Sequence, residues 1–204
     1  MNQIKKIIKE NKNNEPLKFA IGAFTSVNIG NIGVIKKLVE LEWSSTVILI
    51  RLSMIPAIYT VEEASYIFSE MGVNYVLIVD QDELFDTLES KKSTYCELIT
   101  LLRAQDFPIN IVHGSHDKEL LPKSRNGLKN NIKFYSVPSL KYENHTVDTN
   151  LVVHYLRHNR AKDMLNILNN RYYIKGQIIK GNRNGTKIGF PTANMQILKA
   201  KNYP

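Results

Sequence analysis

The sequence of 204 residues predicts an α/β fold with a doubly wound, mainly parallel five-stranded sheet. Five short apolar runs, rich in β-branched residues, have the length of strands that are covered on both faces. Helical patterns lie between most of these runs, and this alternation is typical of parallel sheets built from βαβ units. We expect a helical pair and a partial β-barrel segment to follow the sheet.

The predicted sheet elements alternate up to about residue 140. The strands are predicted at Leu17–Phe24, Thr46–Leu52, Asn74–Val79, Ile109–His113 and Ile132–Val137. After the first strand, apolar residues recur at helical spacing. Thr60–Met71 forms the next helix, in which Thr60 and Glu63 have the spacing of a capping box. Tyr95–Ala104 is the predicted helix after the third strand.

The pattern changes beyond Val137. Two short helices are predicted at Asp148–Arg157 and Ala161–Leu168. Arg171–Lys180 then alternates polar and apolar residues, which is typical of a strand with one buried face. A glycine-rich loop, Gly181–Gly189, follows this strand.

The last predicted strand exposes an apolar face that carries Ile174 and Ile178. A strand with free hydrogen-bonding edges invites pairing with another chain. We therefore expect residues 171–204 to be poorly ordered, or to be ordered by docking on the first domain or by self-association with a second molecule.

Composition and charge limit the class of protein. Apolar residues make up 43% and charged residues 23%, as in soluble globular proteins. No apolar run reaches the roughly 18 residues that span a bilayer, and the N-terminus lacks the apolar core of a secretory signal. Because Cys96 is the single cysteine, no internal disulfide can form. We expect a cytoplasmic protein without a membrane partner.

The net charge of +8 favours anionic partners. The lysines are scattered, however, and no basic stripe is interleaved with aromatic residues. Because dedicated nucleic-acid binders show such a stripe, the pattern argues against nucleic acid as the partner.

The first candidate binding segment is the turn after the first strand, from Gly22 to Asn31. A small-residue turn that leads into a helix can present backbone N–H groups to a phosphate. Many α/β domains have such a turn and bind nothing there, so a purely structural turn stays equally open.

The second candidate segment runs from Gly181 to Asn194. Its glycines allow the backbone to approach a ligand closely, and the oxygens of Thr192 and Asn194 suit a hard cation such as Mg²⁺. The order of residues is not that of a P-loop. A β-hairpin loop without a ligand is an equally open reading.

A third candidate is a metal pair of His113 and His116, three residues apart after the fourth strand. No third ligand lies nearby in the sequence, which argues against a metal site.

Together, the two glycine-containing segments resemble the bifunctional riboflavin kinase/FMN adenylyltransferase family, the prokaryotic FAD synthetases. Gly22, Phe24, Val27 and Gly30 match the family's G-x-F-D-G-V-H-x-G-H turn. Gly189–Asn194 reads GFPTAN, which is the family's kinase signature without a change. The resemblance covers nearly the whole chain.

The resemblance implies a Rossmann-like fold of the nucleotidyltransferase type. It implies an FMN adenylyltransferase-like domain at residues 1–170 and the N-terminal fragment of a riboflavin-kinase-like β-barrel at residues 171–204. The implied reaction joins ATP and FMN into FAD and pyrophosphate with Mg²⁺, and riboflavin is the kinase substrate. The implied nucleotide-binding residues are Gly22, Ala23, Phe24, Gly30 and Thr149. The implied kinase-like ATP and Mg²⁺ loop contains Gly181, Gly185, Gly189, Pro191, Thr192 and Asn194, with Thr192 and Asn194 as metal ligands.

The departures from the family concern catalysis. Asn28 and Asn31 replace the two histidines of the turn, and asparagine carries no positive charge. Loss of one preorganised donor costs ~10²–10³ in rate in other enzymes. The family's phosphate-clamping arginine falls on Leu151. We therefore expect an enzyme ancestry with FAD synthesis weak or lost and with an incomplete kinase half. The alternative is a non-catalytic flavin- or nucleotide-binding regulatory protein on the same scaffold.

Overall fold

The computed structural model describes residues 2–22, 24, 26–41, 45–51, 58–80, 88–120, 131–181, 185 and 188–197. The strands of the main sheet are β1 (Leu17–Gly22), β2 (Ser45–Arg51), β3 (Tyr75–Asp80), β4 (Ile109–Gly114) and β5 (Ile132–Val137). The helices are α1 (Asn2–Glu10), α2 (Ile29–Glu40), α3 (Val61–Glu70), α4 (Leu88–Arg103), α5 (Thr149–Arg157) and α6 (Ala161–Ile167). Two small hairpins are formed by β6 (Lys141–Tyr142) with β7 (His145–Thr146), and by β8 (Gly176–Ile179) with β9 (Asn194–Ile197).

The main sheet has the strand order β3-β2-β1-β4-β5, and its neighbouring strands pair in parallel. The α/β class and the parallel sheet expected from the sequence are confirmed. The chain leaves β1 toward β2 on one side, and it later returns to add β4 on the other side. The strand order therefore reverses between β1 and β4, where open α/β sheets form ligand-binding crevices beyond the carboxyl ends of their strands.

Helices cover both faces of the sheet because neighbouring residues of a strand point to opposite faces. In β1, Ala20 packs in the core with α2, α3, α5 and α6, whereas Phe19 and Ile21 pack in the core with α1 and α4. Helix α3 begins at the capping box that the sequence predicts, with reciprocal side-chain bonds between Thr60 and Glu63.

A buried lysine fixes the far end of α2. The Lys18 side chain is almost completely buried, and its Nζ donates hydrogen bonds to the carbonyl oxygens of Val39 and Leu41. Burial lowers the pKa of Lys18. Since the last carbonyls of a helix have no partner within the helix, this lysine satisfies them and ties α2 to β1.

Two strands have bounds that differ from those predicted from the sequence. Strand β1 ends at Gly22 rather than Phe24, because Phe24 has a φ of 45°, outside the β region. Strand β8 begins at Gly176 rather than Arg171, and Tyr172 instead packs against the core that α2, α3, α5 and α6 share. None of the helices in the described part of the chain is long and apolar enough to cross a membrane.

Candidate functional site

A cleft of about 120 Å³ opens at the reversal of the strand order. The carboxyl ends of β1, β4 and β5 and the N-termini of α2 and α5 surround it. Its walls contain Ile21, Gly22, Phe24, Asn28, Gly30, Asn31, Val34, Gly114, His116, Asp117, Val137, Pro138, Ser139, Leu140, Val147, Asp148 and Thr149. The predicted residues Gly22, Phe24, Gly30 and Thr149 thus lie at one cleft, while Ala23 lies outside the described residues.

The two asparagines at the histidine positions cap α2. Asn28 is the N-cap, and its Oδ1 accepts hydrogen bonds from the backbone N–H groups of Gly30 at 2.9 Å and Asn31 at 3.1 Å. In return, the Asn31 Oδ1 accepts from the backbone N–H of Asn28 at 3.2 Å. This reciprocal arrangement is a capping box made of two asparagines. The oxygens of both side chains therefore serve the helix itself.

The amide group of Asn28 is also held internally. Its Nδ2 donates to the Oγ of Ser26 at 2.8 Å, and this Oγ lies 3.1 Å from the Oγ1 of Thr149. Only 2% of Asn28 is exposed, and Ser26 is completely buried. A chain of side chains therefore joins the turn before α2 to the first residue of α5.

Phe24 and Gly22 shape the turn rather than present polar groups. The Phe24 ring is buried and meets the Phe68 ring edge-on, with 5.5 Å between the centroids. A Cβ at Gly22 would lie 3.1 Å from the Phe24 ring. The left-handed φ of Phe24 and the small residue at position 22 allow this ring to fold back under the cleft.

Sequence reasoning considered His116 only as a metal ligand and missed Asp117, which lies beside it after β4. The Nε2 of His116 lies 3.5 Å from the Oδ1 of Asp117, and its Nδ1 lies 3.4 Å from the Oγ of Ser139. Burial raises the pKa of Asp117, although His116 and His113 nearby lower it in part. The available signal was the run of polar residues directly after a predicted strand, where α/β sites collect.

Tyr95 of α4 supports β1 from the opposite face of the sheet. Its hydroxyl donates to the carbonyl oxygen of Ile21 at 3.0 Å, one residue before the strand ends at the cleft. Burial raises the pKa of Tyr95, so the hydroxyl stays protonated and remains a donor.

His113 does not share the cleft with His116. Its ring packs edge-on against Phe134, and its Nδ1 lies 2.8 Å from the carbonyl oxygen of Gly114. Among the described residues, no group of three or more His, Cys, Asp or Glu side chains is placed to hold a metal ion. The structure therefore gives no support to a metal pair at His113 and His116.

A polar network fixes the β6–β7 hairpin on α5 and α6. Arg160 donates to Asp163 at 2.8 Å and to Glu143 at 2.7 Å, and it stacks 4.4 Å from the centre of the Tyr155 ring. The Tyr142 hydroxyl donates to Asp163 at 2.9 Å. This hydrogen bond and the neighbouring Arg160 hold the pKa of Asp163 below its usual value. The network thereby stabilises the position of α5, whose N-terminus faces the cleft.

The second predicted segment lies on the β8–β9 hairpin. A Cβ at Gly185 would lie 3.0 Å from the Thr192 Oγ1, and one at Gly181 would overlap the Asn194 side chain. The backbone N–H of Phe190 donates to the Gly185 carbonyl at 2.8 Å, and Gly189 has a φ of 84°. The loop therefore folds back on itself, and its glycines leave room for Thr192 and Asn194. Pro191, Thr192 and Asn194 are exposed.

Comparisons with known proteins found two matches that concern the family resemblance of the chain. The family model for riboflavin kinase matches residues 168–204. A bifunctional riboflavin kinase/FMN adenylyltransferase of Buchnera aphidicola subsp. Schizaphis graminum is 22% identical over 216 residues, which cover 98% of this chain and 69% of the relative. These two findings confirm the resemblance to the riboflavin kinase/FMN adenylyltransferase family, a family of flavin-related kinases and adenylyltransferases.

Solved structures add a similarity of fold. The crystal structure of a macrolide-efflux protein from Streptococcus pneumoniae has a TM-score of 0.69 and 18% identity, and the match covers 93% of this chain and 67% of that one. At this identity the match shows the fold alone. A Plasmodium falciparum nicotinic acid mononucleotide adenylyltransferase reaches a TM-score of 0.38 at 15% identity, over 74% of this chain and 89% of that one. A TM-score this low supports no conclusion.

Proposed function

We propose that the chain is a flavin- and nucleotide-binding protein on an FAD synthetase scaffold, with weak or no adenylyl transfer from ATP to FMN. The observation that carries the proposal is the capping of α2 by Asn28 and Asn31. Both residues stand where the family has histidines, and both direct their side-chain oxygens to backbone N–H groups of the helix. They bring no positive charge to the cleft.

Adenylyl transfer depends on stabilising the charge of the transferring phosphoryl group, and less on covalent chemistry by the protein. The described residues that line the cleft include no lysine or arginine, and Leu151 stands at the family's arginine position. Gly30 and Thr149 line the cleft, but neither residue carries a positive charge. We therefore propose binding with little catalysis.

The proposal includes two domains of the nucleotidyltransferase and riboflavin-kinase types, at residues 1–170 and 171–204. The match of the riboflavin kinase family to residues 168–204 supports this boundary. In the second domain, the oxygens of Thr192 and Asn194 are of the kind that Mg²⁺ prefers, and the absence of a Cβ at Gly181 and Gly185 lets these side chains lie close to the backbone. When bound, Mg²⁺ would neutralise the phosphates of ATP; the two side chains would position it.

The proposal also includes a cytoplasmic location, because a chain with one cysteine has no internal disulfide to form in an oxidising compartment. Self-association through residues 171–204 stays a prediction. The exposure of Ile178 (66%) and Phe190 (74%) supports it, since exposed apolar side chains mark interaction surfaces.

Titration of riboflavin, followed by its fluorescence, tests the binding function. Ser139 lies on the cleft wall, and the substitution Ser139→Phe would fill the cleft. Ser69→Phe adds the same side chain at an exposed position on α3, away from the cleft, and serves as the matched control. We expect the wild type and Ser69→Phe to bind riboflavin and Ser139→Phe to lose at least about tenfold in affinity.

Binding that is equal in all three proteins would place the ligand elsewhere and contradict the proposed site. No binding of riboflavin, FMN or ATP by the wild type would contradict the function itself.

A further inference from the structure

Backbone N–H groups at the N-terminus of α2 already have a hydrogen-bond partner within the chain. The N-terminus of a helix normally attracts anions because its first N–H groups have no partner within the helix. In α2, the N–H groups of Gly30 and Asn31 both donate to the Oδ1 of Asn28. This oxygen occupies the place that a phosphate oxygen would take at a free helix end.

Asn28 cannot move aside without breaking other contacts. Its Nδ2 donates to the buried Ser26, and its backbone N–H donates to the Asn31 side chain. Ser26 is in turn within hydrogen-bond distance of Thr149 on α5. A phosphate would have to displace a side chain that is 2% exposed and anchored to both helices.

The N-terminus of α5 carries a charged cap. The Oδ1 of Asp148 accepts from the backbone N–H of Leu151 at 2.8 Å, and Asp148 lies on the cleft wall. Its negative charge stabilises the helix but repels an anionic ligand. Both helix ends that face the cleft thus carry a side-chain cap, and the cap of α5 is a carboxylate that disfavours phosphate.

The remaining walls carry a second carboxylate and apolar groups. Asp117 lies in the cleft, and His116, the titratable base among the described lining residues, is already 3.5 Å from its carboxylate. Val34, Val137 and Leu140 are among the apolar side chains around it. Apolar walls with a few polar groups suit a flat heteroaromatic ring.

We infer that this cleft binds the uncharged ring portion of a flavin or nucleoside and discriminates against its phosphorylated forms, with Asn28 and Asp148 as the residues that determine this specificity. The inference rests on the proposed function, since it concerns the same cleft. We therefore expect riboflavin to bind more tightly than FMN, and adenosine more tightly than ATP.

Calorimetry with these two pairs of probes tests the inference, because the members of each pair differ only in phosphate. Without Mg²⁺, we expect the wild type to bind riboflavin at least about tenfold more tightly than FMN, and adenosine more tightly than ATP. Asp148→Asn keeps a good cap and removes the charge, so it should reduce the preference for riboflavin over FMN by about two- to fivefold.

Two further variants complete the test. Asn28→Gly keeps an acceptable N-cap residue and frees the two N–H groups of α2, so it should raise the affinity for FMN. Glu70→Gln removes an exposed charge at the end of α3 and should leave the preference as in the wild type.

Equal binding of riboflavin and FMN by the wild type, unchanged in Asp148→Asn and Asn28→Gly, would overturn the inference and leave the proposed function standing. Binding of none of the four probes would overturn both.

Discussion

Replacement of Asn28 by alanine tests whether this residue is a structural cap. The variant loses the side-chain oxygen that accepts from Gly30 and Asn31 and the amide that donates to Ser26. Loss of an N-cap costs about 0.5–2 kcal/mol, and the broken bond to Ser26 adds about 0.5–1.5 kcal/mol. We therefore expect a loss of about 2 kcal/mol in the free energy of unfolding. For a chain of this size, that lowers Tm by about 4–8 °C.

Thermal and urea unfolding, followed by circular dichroism, measures this loss. Asn28→Ser is the matched control because serine caps a helix about as well as asparagine does. We expect the serine variant to retain most of the stability. A fully stable alanine variant would refute the capping role. A serine variant as unstable as alanine would show that side-chain packing, and not the cap, matters at this position.

Three further substitutions test the supports of the cleft and of α3. Tyr95→Phe removes the hydrogen bond to the Ile21 carbonyl and should cost about 1 kcal/mol in urea unfolding; an unchanged midpoint would contradict it. Thr60→Ala removes the side chain that accepts from Glu63 and should also cost about 1 kcal/mol, and a neutral effect would mean that α3 does not depend on its capping box. Burial raises the pKa of Asp117 above its ordinary 3.8, so the folded protein binds the proton more tightly than the unfolded chain does. The free energy of unfolding therefore falls as the pH rises from the ordinary pKa through the raised pKa. Asp117→Asn should therefore be more stable than the wild type at neutral pH, with the difference fading below about pH 4; a constant difference at all pH values would show that the carboxylate is not perturbed.

The sheet could be predicted from the sequence because its strands are short runs of buried, β-branched residues. The observed β2 to β5 begin within one residue of their predicted starts. Helix α1 was not predicted, because its polar composition, with three lysines, drew attention away from the apolar face formed by Ile4, Ile7 and Ile8, which packs against the sheet. The alternation at Arg171–Lys180 was misleading, since Tyr172 packs against the core that α2, α3, α5 and α6 share instead of extending β8.

Several residues singled out in the sequence line one cleft, but the hydrogen bonds around them could not be predicted. Gly22, Gly30 and Thr149 meet at the cleft, as the motif order implies. The cap of Asn28 is local, but its amide also donates to Ser26, whose hydroxyl is within hydrogen-bond distance of a residue 123 positions away. The contact between Ser26 and Thr149 arises only when α5 folds over the turn, so no local pattern in the sequence indicates it.

The rate of FAD formation from FMN, ATP and Mg²⁺ by the purified chain tests the central claim most directly. With the two histidine positions used as caps, we expect turnover to lie at least about 10²–10³-fold below the typical enzymatic range of about 1–10³ s⁻¹. Chromatographic separation of FAD from FMN measures this rate. Turnover of about 10 s⁻¹, typical of a working enzyme, would contradict the claim that Asn28 and Asn31 leave the scaffold without effective charge stabilisation.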